Sequence, residues 1–348
     1  MRKSRRWDRE LEPEPGQLRK PPLARLDTTR RAGVLEELQR AGGNYAVQRT
    51  LGGPQLQRDL RKSSYAAQQF ALTIDGTTVP VGAAEGGGAS ADVIVEAPRQ
   101  GGVSGKHLSS LRFEPVSLKL GLELGPLGDW IGSTLAHKFS RKDVVVHQLD
   151  ASGKEVRSVE FRNSLVSEIV VPRLDVGDSG DAWLSVKLEP ELARTTSGSG
   201  RTTAGKGKPD PLEPSTTRLE ISGIGTVAEL LSVDGFAFKQ TIKHEDVGTS
   251  RTKVNFPAST TLGNLVVTVA DKGKMSGKNA FDTWFHESVI DGKAEERTAV
   301  LTVKSHGGKT LRLTFSGVGI AGAETFGSSD GGGRKYELYA ESMSLKIA

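Results

Sequence analysis

The chain has 348 residues, 36% of them hydrophobic and 5% aromatic, with a formal net charge of +5. It contains 42 glycines and no cysteine. The lack of cysteine excludes disulfides, thiolate metal sites and cysteine nucleophiles. The many glycines favour short strands joined by frequent turns over a helical bundle, and the length allows two ordinary domains with an additional segment.

The basic excess lies in a leader, residues 1–66, which is rich in Arg, Glu and Pro. The remainder of the chain is close to neutral. We therefore expect no nucleic-acid binding by the folded part, because phosphate contacts need clustered positive charge. The first sixteen residues lack the apolar core of a secretory signal, and no stretch is apolar enough to span a membrane. We expect a soluble protein that is assembled in the cytoplasm and does not bind membranes.

The leader is predicted to be largely disordered, with a short helix near residues 30–51. Two leucines at a spacing of three form one apolar edge, and a Gly-Gly pair interrupts the helix. The segment is either a frayed amphipathic helix or a docking segment that folds on a partner. The residues predicted to dock that partner are Leu35, Leu38, Gln39, Arg40, Asn44, Ala46 and Val47.

Residues 67–194 alternate apolar and polar residues as β-strands do. The helix predicted near 126–138 has Pro126 in its first turn and an apolar face that includes Trp130. The predicted strands are 70–76, 111–120, the hairpin 143–149 and 155–161 around the turn 150–154, and 182–188.

Residues 195–216 are rich in Gly, Ser and Lys and end in prolines, a composition that predicts a flexible linker. Residues 217–348 then return to β alternation. Their predicted elements are the strands 219–223 and 265–269, a helix near 279–290, the hairpin 299–303 and 310–315, and a closing strand 336–343.

The two β-rich segments match in pattern. Trp130 and Trp284 lie in similar apolar segments, 284 − 130 = 154 positions apart. The same shift places Leu111 on Leu265, Val146 on Val300, Gly153 on Gly307, Phe161 on Phe315 and Leu184 on Leu338. We therefore predict that 67–194 and 217–348 are two copies of one mainly β domain.

No catalytic, cofactor-binding or metal-binding constellation is evident, and we expect that the protein is not an enzyme. The six histidines are scattered without the spacing of metal ligands. Gly307–Thr310 ends like a phosphate-binding loop, but Val303 stands where that motif needs its first glycine. Asp175 and Asp178 fall in a predicted loop without apolar surroundings that would raise a pKa.

Five segments in order resemble the tube protein family of contractile phage tails. These segments are Phe70–Gly76, Leu111–Gly121, Asp129–Trp130, Val144–Lys154 and Phe161–Ser164. The resemblance implies a small β-barrel or sandwich flanked by one helix, six of which form a ring through strands that join across subunits. The expected fold class is thus mainly β, with two tandem tail-tube-like domains after the leader.

Tube proteins usually have one domain, so the second copy needs a geometric explanation. Three chains of two domains would form a pseudo-sixfold ring with a threefold face; six chains are an alternative, as is a monomer in which the second copy caps the first copy's sheet edge. In addition, residues 34–49 resemble a segment of bacterial proteins encoded near extracellular contractile injection systems.

The leading hypothesis is a structural part of a contractile injection system, a tube-like adaptor at the tube, baseplate or hub. Its expected partners are tube, baseplate or spike proteins of a particle that can be extracellular, and no cofactor is expected. The alternative is a cargo that the leader loads into the tube lumen. A third hypothesis, a stand-alone glycan- or protein-binding module, would need exposed aromatic residues on loops.

Overall fold

The computed structural model of the chain describes residues 69–97, 102, 104–199, 208–247, 252–270, 280–293, 295–326 and 333–348. The predicted leader and its helix near 30–51 lie outside these residues. Both β-rich segments belong to one compact unit, Ala66–Ala348.

The first half contains one helix, α1 (Pro126–Leu135), among its described residues. Its strands are β1 Gln69–Ile74, β2 Thr77–Val81, β3 Ala83–Gly86, β4 Ala89–Val95, β5 Lys106–Phe113, β6 Val116–Leu120, β7 Lys142–Leu149, β8 Glu155–Val171, β9 Leu174–Asp175, β10 Leu184–Glu189 and β11 Leu192–Ser197.

The second half has a short helix, α2 (Ala280–Phe285), which continues into a π-helical turn, His286–Ile290. Its strands are β12 Leu212–Ile221, β13 Gly225–Thr226, β14 Leu230–Val233, β15 Phe236–Asp246, β16 Lys253–Leu262, β17 Leu265–Ala270, β18 Arg297–Ser305, β19 Thr310–Phe326, β20 Gly333–Tyr339 and β21 Ser342–Ile347. The predicted fold class, mainly β with a helix beside each half, is confirmed.

Several predicted elements have different boundaries. The run predicted as one strand, 111–120, is divided by Glu114 and Pro115 into β5 and β6, because proline has no N–H for a strand ladder. The predicted closing strand 336–343 is likewise divided into β20 and β21. Strands β11 and β12 overlap the two ends of the predicted linker, 195–216.

The two halves have the same strand order. The first sheet runs β2-β1-β7-β8-β10-β6-β3, and the second runs β13-β12-β18-β19-β20-β17-β14, with β9 of the first half added beside β14. Each half also adds its last strand to its longest one, β11 to β8 and β21 to β19. Element by element, the second half therefore follows the path of the first.

Alternation of apolar residues along these strands forms the core. In β10, Leu184, Val186 and Leu188 are buried and the residues between them are only half-buried, as expected when successive side chains point to opposite faces. The helices add one indole each: Trp130 and Trp284 are both buried, and their Nε1 atoms donate to the carbonyl oxygens of residues 140 and 295.

The observed strand pairing corrects parts of the residue-by-residue alignment of the halves that the constant shift of 154 predicted. Val116 opposes Leu188 in the first half, and Leu265 opposes Leu338 in the second. Leu265 and Leu338 therefore correspond to Val116 and Leu188, and the predicted matches with Leu111 and Leu184 are wrong. The shift of 154 fails at these strands because the segments that connect β6 or β17 to the following helix, and β8 or β19 to β10 or β20, differ in length between the halves.

The hairpin turn gives a second correction. Gly153 and Gly308 both have positive φ, and each donates its N–H to the residue three positions earlier, at 2.9 Å. Gly153 therefore corresponds to Gly308 and not to Gly307. The shift is already 155 along the preceding strand, where Val146 corresponds to Leu301 and not to Val300, because each opposes a leucine of its half's opening strand. The first half then has one extra residue, Val156, where its ladder shifts register between Gln148 and Leu149, and this bulge returns the shift to 154 at Phe161 and Phe315.

Candidate assembly surfaces

The two halves are joined by strand addition. Strand β15 of the second half pairs antiparallel with β8 of the first, with Phe236 opposite Val171 and Lys239 opposite Glu168. Backbone N–H and C=O groups at a sheet edge accept an additional strand whatever its side chains, which then set the specificity. We call this contact the internal junction.

Aromatic rings anchor the internal junction. Phe238, opposite Ile169, is 5% exposed, and its ring centroid lies 6.3 Å from that of His137 in the first half. The ring of Phe236 packs edge-on against Phe315, with centroids 5.6 Å apart. Burial of two aromatic side chains makes the junction part of the hydrophobic core.

A charged ladder crosses the same contact. Glu168 accepts a hydrogen bond from Lys187 on β10 at 2.8 Å and forms an ion pair with Lys239 on β15 at 3.3 Å. The hydrogen bond from Lys187 lowers the pKa of the Glu168 carboxyl, although partial burial opposes this shift. The carboxylate therefore links the second half's strand to the first half's sheet.

The far end of the β15–β16 hairpin contacts the turn between β10 and β11. The Asn255 N–H donates to Glu191 Oε1 at 2.9 Å, and its side-chain amide donates to the Glu189 carbonyl oxygen at 3.1 Å. His244 Nδ1 lies 2.7 Å from Asn255 Oδ1. Burial raises the pKa of the Glu189 carboxyl. These groups border a cleft of about 400 Å³ between the hairpin and the first half.

A separate contact involves the helix of the first half. Helix α1 packs against β21, the last strand of the second half, and the Cβ position at Gly132 is 4.0 Å from the Leu345 carbonyl oxygen. Asp210, at the end of the predicted linker, holds both halves: its backbone oxygen accepts from Leu122 at 2.8 Å and its Oδ1 from Gly307 at 2.7 Å. The predicted hairpin turn around Gly307 and Gly308 is therefore present, and an aspartate binds it.

The first half has its own hairpin, β4–β5, which forms a separate two-stranded sheet. Its apolar side chains are unusually exposed: Val93 by 56%, Ile94 by 44%, Val95 by 58% and Leu108 by 60%. Exposed apolar residues that cluster, unlike single ones, are typical of protein interaction sites.

The residues predicted to dock a partner, Leu35, Leu38, Gln39, Arg40, Asn44, Ala46 and Val47, lie outside the described residues. Within the described ranges there is no cluster of His, Cys, Asp and Glu suited to a metal ion, and no described helix is long and apolar enough to cross a membrane. Sequence reasoning missed the internal junction, although the alternation of Phe236, Phe238 and Gln240 indicates a strand.

No protein-family model matches the sequence, and no curated protein does either. The chain is similar to a solved chain of the PVC extracellular contractile injection system, in its extended sheath-tube complex, at 17% identity and a TM-score of 0.34, over 40% of this chain and 97% of that one. It is also similar to a chain of the anti-feeding prophage baseplate, at 12% identity and a TM-score of 0.31, over 37% and 90%.

A third similar structure is Hcp1 from Flavobacterium johnsoniae, at 15% identity and a TM-score of 0.23, over 37% of this chain and 96% of that one. Each of these structures matches along most of its own length but less than half of this chain.

Proposed function

We propose that the protein is a structural component of a contractile injection system or phage-tail-like particle, a tube-like adaptor that assembles into rings by strand addition. One observation carries the proposal: β15 of the second half completes the sheet of the first half at β8. The chain thereby contains one example of the contact that would join further domains.

The repeated architecture supports ring closure. Each half has a hairpin at the same point in chain order, β4–β5 between β3 and β6 and β15–β16 between β14 and β17, and a long strand at the same place in its sheet. The internal junction uses the hairpin of the second half and the long strand of the first. The hairpin β4–β5 and the strand β19 are therefore available for the same contact between chains. Such a head-to-tail contact closes into a ring if the rotation between domains divides a full turn, and three chains would supply six domains.

A ring of three two-domain chains has sixfold-like packing and a threefold face. It would therefore fit between a sixfold tube and a threefold spike or hub, and tube, baseplate or spike proteins are the proposed partners. Its role would depend on surface burial and strand pairing, without catalysis, after assembly in the cytoplasm into a particle that can be released.

Particle fractionation tests this function. Particles would be purified from cells that produce an epitope-tagged chain, and the chain would be quantified before and after induced contraction. A structural component stays with the particle in a fixed ratio to its neighbours. Complete absence from intact particles would refute the proposal.

The leader supports a second candidate, a cargo of the tube lumen. Its segment 34–49 resembles segments of proteins encoded near such systems, and Leu35, Leu38, Gln39, Arg40, Asn44, Ala46 and Val47 are its proposed docking residues. Deletion of residues 1–66 separates the two candidates. If the chain is a cargo, the truncated form should no longer associate with particles, and the full chain should leave the particle on contraction. If the chain is an adaptor, the truncated form should still associate with particles through its folded halves.

A further inference from the structure

We infer that the seam between two copies of this chain consists of the β4–β5 hairpin of one copy paired with the outer edge of β19 of the next. This inference depends on the proposed ring assembly and names the surfaces that form it. The internal junction supplies the template, because its two elements, β15 and β8, have counterparts in β4 and β19.

The two hairpins correspond residue by residue. Both ladders shift register at the same step, between Ala91 and Val93 in β4 and between Gln240 and Ile242 in β15. Before the shift, Ser90 occupies the place of Lys239, the residue of β15 that pairs with Glu168. The bulge is therefore a shared feature that fixes the alignment.

The acceptor edges also correspond. Strands β8 and β19 are both 17 residues long, and each shifts register against its neighbour, β10 or β20, around one bulged residue, Ser167 or Ala321. Gly322 therefore occupies the place of Glu168. Around Gly322 the strand pairs with β20 on one side, and the described residues place no strand on the other, because β18 and β21 pair with the earlier part of β19. At the seam Ser90 faces Gly322.

The side chains at the far end of the seam are complementary in charge. Lys106 occupies the place of Asn255, since Lys106 pairs with Val95 as Asn255 pairs with His244. Glu341 occupies the place of Glu191: each donates its backbone N–H, at 3.1 Å, to the equivalent residue of the long strand. Where Asn255 meets Glu191 internally, Lys106 of one copy meets Glu341 of the next.

A second contact indicates the same direction of assembly. Internally α1 packs against β21, and Leu135 at its end is 3% exposed. The equivalent end of the second half's helix exposes Val289 by 43% and Ile290 by 62%. The counterpart of β21 is β11, whose Leu192 is 36% exposed. At the seam the copy that accepts the hairpin on its β19 places its π-helical turn over β11 of the copy that supplies the hairpin, just as the first half accepts β15 and places α1 against β21.

Cysteine cross-linking tests the seam on a background free of cysteine. Side chains directly opposite on antiparallel strands lie within disulfide reach. The full chain carrying Ser90→Cys and Gly322→Cys would be oxidised and separated on non-reducing gels. We expect covalent dimers and trimers that disappear on reduction. The matched control carries Glu168→Cys and Lys239→Cys and should form a disulfide within one chain, which changes mobility but not mass.

The outcomes distinguish failure of the proposed seam from failure of the proposed ring assembly. If the parent protein forms rings and the control pair oxidises, but the Ser90/Gly322 pair gives only monomers, the seam is wrong while the proposed function stands. If the parent protein is monomeric and the variant with Ser90→Cys and Gly322→Cys gives no cross-links between chains, both fail.

Charge reversal checks the seam without oxidation. Lys106→Glu and Glu341→Lys should each weaken the association between chains, by about fivefold per seam, and the double variant should restore it. Additive loss in the double variant would overturn the proposed contact, because it would show that these side chains do not meet.

Discussion

Truncation of Phe238 tests whether the internal junction holds the two halves together as one body. Phe238 is 5% exposed and lies on the strand of the second half that completes the first half's sheet. Phe→Ala at a buried position removes about 3–5 kcal/mol of stability. For a domain of this size, about 2 °C is lost per kcal/mol, so the melting temperature of Phe238→Ala should fall by roughly 6–10 °C.

Phe256 supplies a matched control on the adjacent strand. It is 38% exposed, and the guanidinium of Arg141 lies 5.6 Å from its ring centroid. A cation–π contact at an exposed site is worth about 0.5–1 kcal/mol, so Phe256→Ala should lower the melting temperature by about 2 °C or less. Both variants would be compared with the parent chain by circular dichroism on heating. Equal effects of the two substitutions would refute the reasoning, because the junction would then contribute no more than a surface contact.

Three further predictions concern single positions. Glu168→Gln should lower the free energy of unfolding by about 1 kcal/mol at pH 7. Because the folded pKa of Glu168 is lowered, the carboxylate's stabilisation is present above the unfolded pKa and is lost as the pH falls through the folded pKa. A difference in urea midpoints between the variant and the parent that stays constant down to pH 3 would contradict this. Gly86→Ala should destabilise more than Gly76→Ala. Both glycines have positive φ, but only a Cβ at Gly86 would clash with the Pro115 carbonyl oxygen; equal melting temperatures would contradict this. Asp210→Ala should cost about 2 kcal/mol through loss of its bonds to Gly307 and Ser305, and an unchanged urea midpoint would contradict it.

Local elements could be predicted from the sequence because their signals are local. The helix around Trp130 was predicted at 126–138 and lies at Pro126–Leu135, since its proline start and apolar spacing are both short-range features. The hairpin turn at Asp150–Lys154 was equally evident. Its glycine adopts the positive φ that such a turn needs.

The assembly surfaces could not be predicted in the same way. Strand β15 pairs with β8, more than sixty residues earlier in the chain, and no periodicity identifies a partner strand at that distance. The backbone provides the pairing, so the side chains of β15 carry little signal of which strand they will join. The constant shift of 154 failed at Leu265 and Leu338 because strand registers tolerate loops of unequal length, which a comparison without gaps cannot follow.

The native mass of the purified chain tests the central claim most directly. One chain has a mass of 37.1 kDa. A ring of three would have three times that mass, about 111 kDa by light scattering, and should show six similar lobes in electron micrographs. A mass of 37 kDa at every concentration up to the highest soluble one, with no rings in the micrographs, would contradict assembly by strand addition.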